Sequence, residues 1–262
     1  MLLAVVTLAA FVLAPYLFWR GTWFGRPLTD AQLEQYLLED AKPRHIQHAL
    51  VQISSRIERR DPAVQRWYPR IAALGRHSIT ELRVTAAWLM GQDNQSPVFH
   101  EAVRGMLQDS EPLVRRNAAL ALARFNDAQG RPELRGMLQP YTVRAPREGL
   151  LRYRLTVGDV VNPGTLMARL EVGGGEPLEI RSPVPGKLER KIAVEGARVG
   201  AGEEVLAIAP SADHVWEALR ALYLVGTAED LPEVERFTRV VRDWPEKITQ
   251  QAQLTVERIR SR

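Results

Sequence analysis

Thiols and imidazoles are scarce in this sequence, and although its 31 carboxylates could act in catalysis or metal binding, nothing in the sequence pairs any two of them. The chain has no cysteine and five histidines, which excludes disulfides, zinc–thiolate sites and thiol catalysis. His45 and His48 are three apart and would share one helix face. Two imidazoles can begin a metal site, but zinc takes three or four ligands, and no further partners are evident. His77, His100 and His214 stand alone. His45 and His48 read as ordinary helical histidines, and no metal ion is expected. Lysine offers an amine nucleophile at four positions, Lys42, Lys187, Lys191 and Lys247. No Gly-x-Ser-x-Gly, His-Glu-x-x-His or glycine-rich nucleotide loop occurs. Gly173, Gly174 and Gly175 lack the Lys-Ser/Thr and the following helix of a phosphate loop, so they read as a hairpin turn. No catalytic, cofactor-binding or metal-binding residue is expected, and the chain is not expected to be an enzyme.

Length and charge narrow the field further. At 262 residues the chain has room for one or two domains with real cores. The net charge of +4 is modest, and no interleaving of basic and aromatic residues marks a nucleic-acid face. Nucleic acid is therefore not an expected partner. The Arg59-Arg60 and Arg115-Arg116 pairs fall on helical patterns and read as solvated. Trp67, Trp88, Trp216 and Trp244 also fall in helical segments and read as core.

The most ordered pattern lies in residues 141–210, which hold two copies of one motif. The first runs Val143-Arg-Ala-Pro-Arg-Glu-Gly149, an apolar stretch, then Gly158-Asp-Val-Val-Asn-Pro-Gly164. The second runs Ile180-Arg-Ser-Pro-Val-Pro-Gly186, an apolar stretch, then Gly196-Ala-Arg-Val-Gly-Ala-Gly202. The residue before each proline is pushed toward extended backbone. Gly149 and Gly186 are expected to supply the positive φ of tight turns. Leu151, Tyr153, Leu155 and Val157 alternate with polar residues, the period of a half-buried strand. Half of this unit cannot bury its apolar face alone, whereas two interlocked halves can.

This duplication resembles the biotinyl/lipoyl carrier fold and the related barrel-sandwich domain of membrane-fusion adaptor proteins. The resemblance implies a lysine in the link between the halves, where carriers receive their cofactor. Here the link reads Glu171-Val-Gly-Gly-Gly-Glu-Pro177, without lysine. Arginine cannot substitute, because its guanidinium stays protonated. An unmodified sandwich without cofactor is expected at residues 140–210.

Residues 1–19 are uncharged and apolar, and nineteen helical residues would cover about 28 Å, close to a bilayer's hydrocarbon core. Trp19, Trp23 and Phe24 fall where an interfacial aromatic belt would sit. No early basic residue or small-x-small cleavage site favours a signal peptide. A transmembrane anchor at residues 1–24 is expected, touching the lipid bilayer through residues 1–19. Arg20 and Arg26 favour the cytoplasmic face for the remainder. The likeness to periplasmic adaptors points the other way, and both orientations stay open.

The rest reads as paired helices. Arg104-Gly-Met-Leu-Gln108 recurs as Arg135-Gly-Met-Leu-Gln139 after 31 residues. Arg83 and Ala86-Ala87 recur as Arg115 and Ala118-Ala119 after 32. Asp109-Ser-Glu-Pro112 looks like a helix start, with acidic and capping residues ahead of a first-turn proline. The pattern is similar to HEAT repeats, and self-similarity at a fixed period implies a solenoid. The array is expected over 28–139 and again over 211–262, where the segment after Ser211 echoes the one after Ser110. Residues 131–139 then read as the first helix of a repeat whose second helix starts near Ala212. The sandwich would be inserted between them.

The expected fold class is α+β: an N-terminal transmembrane helix, a HEAT-like α-solenoid and an inserted all-β barrel-sandwich hybrid. The expected function is a membrane-anchored, non-catalytic scaffold for unidentified protein partners. An adaptor subunit of an envelope transport complex and a biotin or lipoyl carrier are the alternatives.

Overall fold

The structure, a computed structural model, describes residues 27–239 and 244–262. Antiparallel helix pairs come first. Helix α1 (Asp30–Leu38) opens with a reciprocal capping box between Thr29 and Gln32 and packs on α2 (Pro43–Glu58). A 3-10 turn (Pro62–Trp67) leads into α3 (Tyr68–Ala73), followed by α4 (Thr80–Met90). Helices α5 (Pro97–Met106) and α6 (Pro112–Arg124) form the next pair, and α7 (Arg131–Gly136) follows. Prolines in the first turn of α2, α5, α6 and α7 start helices without loss, because those N–H groups have no intrahelical acceptor.

Helix α6 is covered on two sides. Val114, Ala118 and Leu122 pack into the core of α1–α5, whereas Ala119 and Ala123 pack into the next core. Small residues permit this double contact. A Cβ on Gly91 would lie 2.9 Å from Ala121 Cβ, and one on Gly130 would lie 2.7 Å from Ala119 Cα. Backbones therefore meet where an alternating large residue would hold them apart.

Between residues 141 and 210 the chain forms eight strands: β1 (Tyr141–Arg144), β2 (Gly149–Tyr153), β3 (Val160–Val161), β4 (Leu166–Glu171), β5 (Leu178–Arg181), β6 (Gly186–Lys191), β7 (Arg198–Val199) and β8 (Glu204–Pro210). One sheet has the order β1-β8-β6-β3 and the other β5-β4-β2-β7. All pairings are antiparallel. Adding four to each strand number, with wrap-around, turns one sheet into the other. Each half thus donates two strands to each sheet, so neither half has a sheet of its own. Val143, Leu151, Leu170, Ile180, Leu188 and Ile208 belong to the shared core. The positive-φ glycines obey the same symmetry: Gly158 with Gly196 and Gly164 with Gly202, each pair 38 residues apart.

Ser211 then caps α8 (Ala212–Val225), and α9 (Leu231–Glu235) and α10 (Glu246–Arg260) follow. Leu134, Met137 and Leu138, ahead of the sheets, share a core with Val215, Ala218 and Leu222, beyond them. The two helical segments on either side of the sheets are thus in direct contact.

The expected fold class needs correction on two counts. Among the described residues no helix is long and apolar enough to cross a membrane. The longest, α2, has 16 residues and carries Arg44, Arg56 and Glu58; it would cover only about 24 Å. A membrane-spanning helix is therefore not an element of the described fold, and the single-pass membrane localisation with bilayer contact loses its support. The segment expected to form that helix lies outside the described residues. Secondly, the sheets are open rather than closed into a barrel: β1 and β3 edge one, β5 and β7 the other. Among the described residues no ladder pairs a strand of one sheet with a strand of the other, and the edge strands β3 and β7 are only two residues long.

The expected use of Gly149 and Gly186 is also corrected. Neither has positive φ; both lie in strands, where the missing side chain admits a neighbouring strand. A Cβ on Gly186 would overlap the Ala209 carbonyl oxygen and lie 2.7 Å from Ile208 Cγ2.

Candidate interaction surface

Arginines tie the helix pairs together, and they do so in register. On α4, Arg83 Nη1 donates to the carbonyls of His77 (2.8 Å) and Ser78 (3.3 Å). One repeat later, Arg115 Nη1 on α6 donates to Asp109 (2.8 Å) and Ser110 (2.9 Å). Every residue in the second set is 32 positions beyond its counterpart. Each arginine also reaches forward: Arg83 is bidentate to Asp109, at 2.7 and 3.0 Å, and Arg115 meets Glu133 at 3.3 Å. Burial alone would raise the Asp109 carboxyl, but hydrogen bonds from Arg83 and the Glu111 N–H hold it below the ordinary range. Asp109 therefore serves as an inter-repeat acceptor, not as the helix cap; the N-cap of α6 is Glu111.

A second series follows the same step. Arg104 and His100 on α5 both meet Asp127, each at 2.8 Å. Arg135 and Arg131, 31 residues on, both meet Asp230, at 3.5 and 2.9 Å. Asp127 and Asp230 are 103 residues apart; residues 140–210 account for 71 of these, which leaves 32, one repeat step.

The two chain crossings between helices and sheets converge on Arg116. This residue, expected to be solvated, is only 3 % exposed. Arg116 Nη1 lies 3.3 Å from His214 Nδ1, near the start of α8, and the guanidinium sits 5.6 Å from the ring centre of Tyr141, the first residue of β1. Its acidic neighbour, Glu133, is 3.9 Å away, and Arg116 Nε has no hydrogen-bond partner. Burial consequently pulls the Arg116 pKa below its ordinary value. A long apolar residue should serve this site at least as well. Arg116→Met is expected to leave stability unchanged or raised by about 1 kcal/mol, whereas Arg116→Ala opens a cavity and loses about 2–4 kcal/mol. Urea midpoints of the two variants check this.

His214 gives this junction a pH dependence. Burial first, and then the Arg116 charge, push its pKa down to about 4, against a small opposing pull from Asp213. The folded state therefore resists a proton that the unfolded chain accepts near pH 6.5. This contribution to stability is intact above about pH 6.5 and is lost as pH falls toward 4. At pH 5 the loss is about 2 kcal/mol. Chemical denaturation at pH 7 and pH 5 should show it in the wild type, and His214→Gln should remove that part of the difference.

Helices α6, α8 and α10 together present an open surface with apolar walls. A groove of about 290 Å³ runs between α6, α8 and α10, with Leu120, Ala123, Ala221, Leu224 and Leu254 in its walls. It shares Arg124 and Leu224 with a shallower depression of about 600 Å³ that reaches Trp88 on α4 and Glu58 on α2. Trp88 is 43 % exposed, Leu224 41 % and Leu254 52 %. Trp88 was expected in the core; it lies on this face because the opposite side of α4 already buries Leu82, Ala86 and Leu89. A larger cleft of about 910 Å³ opens between α3 and α5, but backbone, glycine and charged side chains form much of its walls.

The other residues with chemical potential are dispersed. His45 pairs with Glu39 and stacks on Tyr36, and His48 Nε2 lies 2.9 Å from the Gln52 amide. Among the described residues no group of three or more His, Cys, Asp or Glu is placed to hold a metal ion. Lys187 and Lys191 lie in β6, and Lys191 covers the Tyr153 ring. The hairpin Val172–Pro177 carries no amine, and its turn is made at Gly174, with φ +81°. Arg116, Asp127 and Asp230 were missed from the sequence. Recurrence of His100/Arg104 as Arg131/Arg135 was the available signal, but it does not reveal the aspartates that answer them.

Residues 69–150 match the family of HEAT repeats. No curated protein matches the chain.

Proposed function

We propose that the protein is a non-catalytic scaffold whose second-helix face docks a segment of another protein. The HEAT-repeat match supports a protein-interaction scaffold, since stacked repeats expose long continuous surfaces. The observation that carries the choice of face is the continuity of the two depressions through Arg124 and Leu224. Exposed Trp88 and Tyr223, with Arg124 and Arg220, are of the residue types enriched at binding hot spots.

In this proposal residues 140–210 are an unmodified lipoyl-like sandwich inserted between the two helices of one repeat. The contact of α7 with α8 and the 32-residue remainder between Asp127 and Asp230 support the insertion. The exchanged strands support the lipoyl-like likeness. The missing hairpin lysine argues against a carrier, and burial of Arg116 at both crossings argues for a fixed insert.

The test is site-specific photocrosslinking in the native host. Benzoylphenylalanine replacing Trp88 or Leu224 is expected to give the same discrete protein adduct. The same probe at Val98, exposed on α5, should give none. Equal labelling from Val98, or no adduct from Trp88 and Leu224, would remove this face from the proposal.

A further inference from the structure

The groove between α6, α8 and α10 has an apolar floor and a cationic rim. Ala123 and Ala221 line it where larger side chains would fill it, and Leu120 and Leu254 flank it. Arg124 and Arg220 are its basic lining residues, with Glu217 the one acid among the residues that line it. Glu217 pairs with Arg220 at 3.6 Å. Arg258 adds a third cation, its guanidinium 5.9 Å from the ring centre of Tyr223.

Helix ends could offset these charges, because the carbonyl terminus of a helix carries partial negative charge. Here those termini are answered from within the chain. Arg262 donates to the carbonyls of Gly226 (2.7 Å), Tyr223 (3.1 Å) and Leu224 at the end of α8. Arg124 Nη1 reaches the Gly91 carbonyl at the end of α4, at 3.4 Å. Arg124 keeps its remaining donors, and Arg220 and Arg258 face solvent.

Resting on the scaffold role proposed above, we infer that the occupant of this groove is an acidic amphipathic helix from a partner protein. The volume is at the small end for ligand pockets, so it takes a few aliphatic side chains, not a folded domain. A helix supplies such side chains at three- and four-residue spacing while leaving its other faces free for carboxylates. Those carboxylates meet the remaining donors of Arg124, and they compete with Glu217 for the exposed Arg220, whose guanidinium lies over the Trp216 ring at 4.5 Å.

The test is a selection from a displayed random-peptide library on the full chain, followed by fluorescence anisotropy with the enriched peptides. Enriched peptides are expected to be net negative, with apolar residues at i, i+3 and i+4. Changing their glutamates to glutamines should weaken binding at least tenfold, as should Arg124→Glu with Arg220→Glu. The milder pair Arg124→Gln with Arg220→Gln, whose melting is checked first, should weaken binding in the same direction. Leu224→Glu should abolish it. Enrichment of neutral or basic peptides, or affinity unchanged by the arginine substitutions, overturns the inference. If photocrosslinks from Trp88 and Leu224 still form in that case, the docking face stands and only the acidic partner falls. If neither peptides nor crosslinks appear, both fall.

Discussion

Gly186→Ala is expected to destabilise the paired sheets of residues 141–210 by about 3 kcal/mol or more. The added methyl would overlap the Ala209 carbonyl oxygen, which belongs to the backbone of β8 and cannot rotate away. It would also press on Ile208, a fully buried member of the core between the sheets. Relief requires β6 and β8 to separate, and they are the central pair of their sheet. Gly149 is the control in the other half. Its Cβ would stand 3.1 Å from the Glu171 carbonyl and 3.2 Å from Leu170 Cβ, a crowding that small shifts absorb at a cost of about 1 kcal/mol. Residues 141–210 contain no tryptophan, so hydrogen exchange reports the sheets and tryptophan fluorescence reports the helices. Gly186→Ala should raise exchange in β6 and β8 before fluorescence changes. A Gly186→Ala chain that melts like Gly149→Ala would show that the close approach relaxes at little cost.

Asp230→Ala should cost about 3 kcal/mol, concentrated in the last helices. Asp230 is fully buried; it accepts from Arg131 Nε at 2.9 Å and from the Thr227 N–H at 2.8 Å. Removing it leaves the Thr227 N–H unmet and takes from Arg131 its buried acceptor, leaving only the exposed Glu229 at 3.0 Å; an unmet buried partner costs more than the bond itself contributed. Its arginine partners lie about 100 residues earlier, on the far side of the sheets, so the loss loosens the contact between the two helical segments that flank them. Asp230→Asn, which keeps an acceptor for Thr227 but loses the charge, should fall between wild type and Asp230→Ala. Trp216 and Trp244 pack against the core that contains α8 and α10. Their fluorescence in urea should show an earlier transition for Asp230→Ala, and a single unshifted transition would argue against this role.

The local elements were legible because they rest on local physics. Prolines at helix starts, alanines at a 32-residue step and glycine pairs at a 38-residue step each act within a few residues of where they are read. The absence of lysine from Val172–Pro177 was equally plain, since an amine is either present or not. The surface was less legible. Trp88 looked like core, and Arg115-Arg116 looked solvated, because a helical pattern does not say which of its faces a later repeat will cover. Arg116 is buried only because β1 and α8, both distant in sequence, return to it.

By itself the sequence determined that helix pairs recur, that a duplicated β unit interrupts them, and that no familiar catalytic or carrier motif is present. These follow from periodicity and residue type, which are properties of neighbours along the chain. The tertiary structure alone decided that the two halves exchange strands into open sheets and that Gly186 is needed for close approach, not for a turn. It alone set Asp230 against Arg131 and joined Trp88, Arg124 and Leu224 into one face. Each of these depends on which segments meet across about 20–140 residues of chain. The composition of a single segment does not encode that choice; it is fixed when competing burials are satisfied together.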